Sequence, residues 1–92
     1  MIRLTAPQTE VLMALVVLSR EGTWFQTELI LRERMEGKEF NHKSFFRATE
    51  GILLKLEGSV PRLVESRSGK TGKSWRLTPA GKAVAETQLG AR

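Results

Sequence analysis

Several residue types on which enzymes and metalloproteins depend are rare or absent in this chain. The 92 residues include no cysteine and no aspartate, and His42 is the only histidine. Without cysteine there is neither a disulfide nor a thiolate metal site, which agrees with a reducing compartment. A catalytic triad needs a base with an orienting carboxylate, and a zinc site needs three or four ligands. The sequence therefore predicts a protein that is not an enzyme and that needs no metal or other cofactor.

Long apolar runs are missing as well. The longest, from Val11 to Leu18, has eight residues, whereas a membrane-spanning helix needs about 20. Polar residues precede this run and no small-residue cleavage site follows it, so a secretory signal is not expected. We expect a soluble cytoplasmic protein without a membrane partner.

The chain is short enough for one domain, which we expect to cover residues 1–92. A domain of this size buries roughly 60–65% of the surface that its unfolded chain exposes. Hydrophobic residues make up 40% of the sequence and charged residues 27%. These proportions are typical of a folded domain with a modest core rather than of a disordered chain.

Positive charge is concentrated in the middle of the chain. The net charge is +5, but residues 1–37 hold four Lys/Arg and five Glu, which gives −1. Residues 38–76 hold nine Lys/Arg and four Glu, which gives +5. Such a concentration indicates a surface that faces a polyanion, although a solubilising charge without a partner is an alternative.

Capping residues and apolar spacing predict four helices. Thr5 is a good N-cap with Gln8 at the capping-box spacing, and the apolar run behind it predicts a buried central helix. Asn41 and Thr78 are suitable N-caps for two later helices. The predicted helices cover residues 6 to about 20, about 26–36, 42 to about 56 and 79 to about 89.

The pattern changes from helical to extended after Gly58. Residues 60–67, which contain Pro61, suit an outer strand, residues 74–77 suit its partner, and residues 23–25 form a short β-prone piece. Gly69 and Gly72 allow the tight turn between the two longer strands. The predicted fold is mainly α with a small antiparallel β-hairpin, in the order α-β-α-α-β-β-α. This is the order of a winged helix-turn-helix, with the helix-turn-helix at about 26–57 and the wing at about 60–77.

The third predicted helix separates into two sides when its residues are placed at 100° steps. The side predicted to face inward consists of His42, Phe45, Phe46, Thr49, Ile52, Leu53 and Leu56. The side predicted to face outward consists of Lys43, Ser44, Arg47, Gly51, Leu54 and Lys55. Arg47 could pair with the O6 and N7 atoms of guanine, and Lys43 and Ser44 lie within reach of bases or phosphates. For this helix alone, a solvated polar face is the alternative.

Cations also cluster in the predicted wing, where they could contact phosphates or the minor groove. An exposed basic loop is weak evidence alone, but after a helix-turn-helix pattern it favours DNA binding. The predicted DNA-binding residues are Lys43, Ser44, Arg47, Lys55, Arg67, Lys70, Thr71 and Lys73. A nucleotide-binding P-loop is not expected, because the motif needs a glycine five positions before Gly72 or Gly69, and Arg67 and Val64 stand there.

The aromatic residues and the histidine have two interpretations each. Phe45 and Phe46 could stack on bases, but their helical spacing favours a place in the core. Trp24 and Trp75 are predicted to pack the small sheet against the helices rather than to bind a ligand. His42 could be a pH switch or a base contact, but a hydrogen-bonded histidine at a helix start is the simpler prediction.

Three segments resemble the winged-helix transcription regulators of the MarR and PadR type. Thr27-Glu28-Leu29 resembles the entry to their second helix, and residues 52–58 resemble the end of their recognition helix. Residues 74–81 resemble the aromatic-x-Leu-Thr-x-x-Gly signature that ends the wing. The resemblance implies sequence-specific binding of double-stranded DNA, usually as a homodimer and often for repression. The chain differs from the pattern after Gly58 and in the short segment after Thr78, so neither an effector nor a mode of dimerisation is implied.

The expected function is therefore sequence-specific double-stranded DNA binding by a transcriptional regulator. One alternative is a winged-helix module for protein interaction or assembly, in which the outward side of the third helix, including Leu54, contacts a partner. A second alternative is binding to structured RNA, which the same charge could serve.

Overall fold

The computed structural model describes residues 3–90. Four helices pack with a three-stranded antiparallel sheet, so the fold is mixed α and β rather than mainly α with a hairpin alone. The elements in chain order are α1 (Ala6–Leu18), β1 (Phe25–Gln26), α2 (Thr27–Arg34), α3 (His42–Glu57), β2 (Val64–Gly69), β3 (Gly72–Leu77) and α4 (Pro79–Gly90). Several ends differ from the predicted ones: α1 and α2 each end two residues early, and β2 begins four residues late.

Helix α1 is the centre of the packing, as its apolar run predicted. The Thr5 hydroxyl accepts a hydrogen bond from the Gln8 backbone N–H, and the Gln8 side chain accepts one from the Thr5 backbone N–H. This reciprocal cap satisfies two N–H groups that a helix start leaves unpaired. Val11, Leu12 and Leu15 are fully buried against α2, α3, α4 and β3.

Helix α3 is fixed at both ends by the residues expected there. The Asn41 side chain accepts a hydrogen bond from the Ser44 backbone N–H, at 3.0 Å, and Gly58 follows the last turn. The buried residues of α3 are Thr49, Leu53 and Leu56. Phe45 and Phe46 are only half-buried and lie outside the core, so their prediction as core residues is wrong. They belong to the first turns of α3, whereas the turns that pack on the core begin at Thr49.

The sheet has β3 in its middle, with β1 and β2 on either side. Phe25 pairs with Trp75, and Ser66 pairs with the same tryptophan from the other strand. Because successive side chains of a strand point to opposite faces, Phe25, Trp75 and Val64 cover the face that packs on the helices. The Trp75 indole N–H donates to the Thr27 hydroxyl at 3.0 Å, which joins the sheet to the start of α2.

The junction from β3 to α4 explains the Thr-Pro-Ala-Gly sequence there. The Thr78 hydroxyl accepts a hydrogen bond from the Gly81 backbone N–H and donates one to the Arg62 carbonyl. A Cβ atom at Gly81 would lie 1.8 Å from the carbonyl oxygen of Leu63, so only glycine fits at this position. The same segment of backbone therefore supports both the start of α4 and the entry to β2.

Candidate nucleic-acid interface

The outward side of α3 presents the residues that the helical spacing assigned to it. Lys43, Ser44, Arg47, Gly51, Leu54 and Lys55 are all exposed. Three of them are cations, and a hydroxyl stands between the first two cations. Burial of Thr49, Leu53 and Leu56 on the opposite side holds this surface outward. The four α3 residues that were predicted to bind DNA therefore share one solvent-facing surface, although Lys55 lies about two turns beyond Arg47.

The β2–β3 hairpin carries the other four predicted residues, and all of them are exposed. Lys70 and Thr71 form the two-residue turn between the paired glycines Gly69 and Gly72. Gly72 has a φ of 111°, a backbone conformation that residues with a side chain rarely adopt, so this glycine is needed for the turn. The Thr71 hydroxyl accepts a hydrogen bond from the Gln26 side-chain amide at 2.6 Å. The turn is therefore tied to the residue that precedes α2.

A cleft joins the hairpin turn to the N-terminal half of α3. Its volume is about 220 Å³. Thr71, Gly72 and Lys73 line it from the hairpin, and Phe46 and Glu50 line it from α3. Phe46 also borders a second cleft with Lys43 and Arg47. Lys43 and Arg47 of α3 and Lys73 of the hairpin therefore border the same aromatic side chain, although the carboxylates of Glu28 and Glu50 also line the cleft beside the hairpin.

Three cations of the hairpin lie against tryptophan rings. The guanidinium carbons of Arg67 and Arg76 are each 4.5 Å from the centroid of Trp24, and the Lys73 ammonium is 5.6 Å from the centroid of Trp75. Trp24 is half-buried and lies on the opposite sheet face from Trp75, so it does not pack the sheet against the helices as predicted. Neither Trp24 nor Arg76 was expected at a functional surface. The only signal in the sequence is that Trp24 and Arg76 each stand next to apolar residues, as expected of residues on the opposite face of a strand.

A small aromatic cluster surrounds the start of α3. The His42 ring stacks on Phe46 at 5.8 Å, and Phe40 meets Phe45 edge to face at 5.9 Å. His42 is exposed, although it was assigned to the inward side, because the first turn of α3 extends past the core. Its Nε2 atom lies 2.6 Å from a carboxylate oxygen of Glu28, so His42 joins α3 to α2.

The environment of Glu28 favours its charged form. The hydrogen bond with His42 is the main cause, and a second hydrogen bond from Arg32 at 2.9 Å adds to it. Together they lower the pKa of the Glu28 carboxyl below its ordinary value of 4.5. This carboxylate lines the cleft beside the hairpin turn, where it is hydrogen-bonded to Arg32 and His42.

Arg34 is a structural cation rather than part of the exposed basic surface. Only 7% of its side chain is exposed. Its guanidinium donates to the Glu10 carboxylate at 2.9 Å and to the Thr49 hydroxyl at 3.2 Å. These bonds connect α2 to α1 and to α3, so Arg34 fixes the helices that hold the α3 surface outward.

Within residues 3–90, no three acidic, histidine or cysteine side chains come together as metal ligands would. None of the helices in that range combines the length and the apolar character needed to cross a membrane. No model of a protein family matches the chain, and no curated protein and no solved structure matches it.

Proposed function

We propose that the protein binds double-stranded DNA in a sequence-specific manner and acts as a transcriptional regulator. In this proposal the fold serves as a winged helix-turn-helix, with α2 and α3 as the helix pair and the β2–β3 hairpin as the wing. The observation that carries the proposal is the cleft that the hairpin turn shares with α3. It places Lys73 of the hairpin next to Phe46, which on its other side borders Lys43 and Arg47, so that one polyanion could contact both the hairpin and α3.

Each segment has a different role in the proposal. The exposed side of α3 would enter the major groove, where an α-helix fits and base edges present distinct hydrogen-bonding patterns. Arg47, two turns or less from the capped start of α3, would read a base through its planar fork of donors. Lys43 and Ser44 would contact neighbouring base edges or phosphates. Lys55, at the far end of the helix, would contact the backbone.

The hairpin would contribute affinity rather than base reading. Lys70 lies in the turn and Lys73 follows it, and both can neutralise phosphates, which releases condensed counterions from DNA. The Thr71 hydroxyl already accepts a bond from Gln26, so we assign it to holding the turn in place, with its hydroxyl proton left for a phosphate oxygen. Binding should therefore weaken steeply as salt increases.

A second candidate is a module for protein interaction, and Leu54 is the observation that favours it. Leu54 is 44% exposed beside Lys55, toward the C-terminal end of the exposed side of α3. An exposed leucine between cations suits an amphipathic protein partner better than a phosphate backbone. In the DNA proposal, Leu54 would instead contact a thymine methyl group, as apolar side chains do in the major groove.

The test is to select binding sites from a random pool of duplexes and then to measure affinity for the selected duplex against salt. Arg47→Ala should relax the preference at one base pair and cost about 1–3 kcal/mol on the preferred site. The double variant Lys70→Ala/Lys73→Ala should weaken binding to all duplexes and reduce the salt slope by about 2.

Arg20→Ala provides the matched control, because it removes an exposed arginine that follows α1. It should leave both sequence preference and salt slope close to those of the wild type. The proposal is wrong if the wild type enriches no site and fails to bind duplexes at about 50 mM salt. It is also wrong if Arg47→Ala and Arg20→Ala behave alike.

A further inference from the structure

The outer face of the sheet carries a cluster of which only Arg67 was among the predicted binding residues. Trp24 contacts the two arginines Arg67 and Arg76, each with its guanidinium carbon 4.5 Å from the ring centroid. The two guanidinium carbons are therefore no farther apart than twice that distance. Arg67 comes from β2, Arg76 comes from β3, and Trp24 immediately precedes β1, so three segments of the chain meet here.

Strand register explains why these side chains meet. Trp75 pairs with Phe25, and its neighbour Arg76 pairs with Glu65 of β2. Since side chains alternate along a strand, Trp24 and Arg76 point away from the face that holds Trp75. Arg67 lies two residues after Glu65 and so shares their face. The cluster is thus fixed by the same pairing that buries Trp75.

Stacking against the ring orients the arginines without using their hydrogen-bonding edges. A guanidinium is planar, and its five N–H donors lie in its plane, whereas stacking occupies a face. Arg76 donates through Nε to Glu65, which leaves its two terminal nitrogens for other acceptors. Arg67 forms no salt bridge with any residue in the described part of the chain.

We propose that Trp24 is a positioning residue, which holds Arg67 and Arg76 as a pair of donors for backbone phosphates of nucleic acid. This inference rests on the proposed DNA binding and extends its contact surface to the outer face of the sheet. With Glu65 included, the cluster keeps a net charge of +1, and Arg67 leads directly to Lys70 at the turn. Arg67 and Arg76 on one face of the hairpin, with Lys70 at its turn, offer three cations from a single ribbon, which suits the repeated charges of a phosphate backbone better than a short acidic peptide.

The first test measures affinity for the selected duplex in four variants. Trp24→Leu removes the ring face and should weaken binding roughly 2- to 10-fold, since each exposed cation–π contact is worth only a small factor. Trp24→Phe should restore most of the loss. Arg67→Lys keeps the charge but loses the stacked, planar fork, so it should weaken binding while leaving the salt slope nearly unchanged. Arg76→Gln should reduce that slope by about 1.

A second test observes the cluster directly. Trp24 and Trp75 are the only tryptophans, and Trp75 is fully buried, so duplex binding should change the emission of Trp24. The change should disappear in Trp24→Phe. Sequence preference and thermal stability should stay near wild type in Arg67→Lys, which separates positioning from folding. Lys82→Gln, which removes an exposed charge from α4, should leave affinity and emission unchanged.

The outcomes distinguish this inference from the proposed function. If the wild type binds the selected duplex, and Trp24→Leu and Arg67→Lys bind it equally well, the inference is wrong while the proposed function stands. If the wild type binds no duplex, both fail. If polyglutamate changes Trp24 emission and the duplex does not, the cluster instead recognises an acidic protein segment and the inference is overturned.

Discussion

The two faces of the sheet use the same kind of side chain in opposite ways. Trp75 is fully buried on the helix side, where its indole N–H meets the Thr27 hydroxyl. Trp24 is half-buried on the outer side, where two guanidinium groups lie against its ring. The two residues are only one position out of register, since Phe25 pairs with Trp75. Alternation along the strand thus decides whether a tryptophan contributes to folding or to a charged surface.

The largest expected effect tests the buried side of this comparison. Trp75→Ala removes a ring with no exposed surface and should lower the free energy of unfolding by about 3–5 kcal/mol. Trp24→Ala should lower it by only about 1 kcal/mol, because the ring is already partly solvated. Denaturant titration measures both.

If Trp75→Ala does not fold, Trp75→Phe offers a milder comparison, because it keeps an aromatic ring and removes the N–H donor. Equal losses for Trp75 and Trp24 variants would contradict the division of the sheet into a face that packs on the core and an outer, charged face.

A second effect concerns the backbone that supports the inner face. Gly81→Ala would bring a Cβ atom to within 1.8 Å of the Leu63 carbonyl oxygen, so the backbone must move. We expect a loss of about 2–3 kcal/mol in the free energy of unfolding. Gly51→Ala is the matched control, since nothing lies within 4 Å of its added Cβ. On the exposed side of a helix it should instead gain up to about 1 kcal/mol.

The control variant Gly51→Ala also tests whether this side of α3 is exposed. Gly51 is on the side of α3 that we propose enters the major groove, so Gly51→Ala should fold at least as well as the wild type. A destabilised Gly51→Ala would contradict the described exposure of that side. A Gly81→Ala variant as stable as the wild type would contradict the close packing of α4 on Leu63.

The smallest effect concerns an exposed contact and depends on pH. The pKa of Glu28 is lower in the folded protein than its ordinary value of 4.5 because of His42 and Arg32. Its contribution to stability is therefore fully present above about pH 4.5 and is lost as the pH falls through the lowered pKa. Glu28→Gln should unfold with a shallower pH dependence below pH 4.5 than the wild type.

Glu36→Gln removes an exposed carboxylate just after α2 and should keep the wild-type pH dependence. Thermal unfolding measured at a series of pH values compares the three proteins. Parallel curves for the wild type and Glu28→Gln would show that the bond between Glu28 and His42 contributes nothing to folding.

Local signals in the sequence predicted much of the fold. The capping box of Thr5 and Gln8 and the N-cap Asn41 both form, because such bonds involve residues only three positions apart. The outward side of α3 was likewise predicted by helical periodicity. Residues whose partners lie within a few positions can thus be assigned before the tertiary structure is known.

The residues that were missed depend on distant partners. Trp24 could not be assigned to a sheet face until the pairing of β1 with β3 was known, and that pairing covers only two residues. Arg34 lies 24 positions from Glu10, so its burial had no local signal. Phe45 and Phe46 have the helical spacing of core residues, but the core does not reach the first turns of α3. Helical periodicity predicts which side of a helix faces the core, but it does not predict how far along the helix the core extends.

The hydrogen bond from Gln26 to Thr71 has a consequence for any ligand that touches both basic segments. The bond ties the hairpin tip to the residue before α2, and α2 is packed against α3. The distance between the hairpin tip and α3 is then fixed by the fold, before any ligand binds. A ligand that contacts both segments must therefore fit that fixed spacing. The protein would then select ligands by the distance between the two parts that it contacts, independently of the chemical groups at each part.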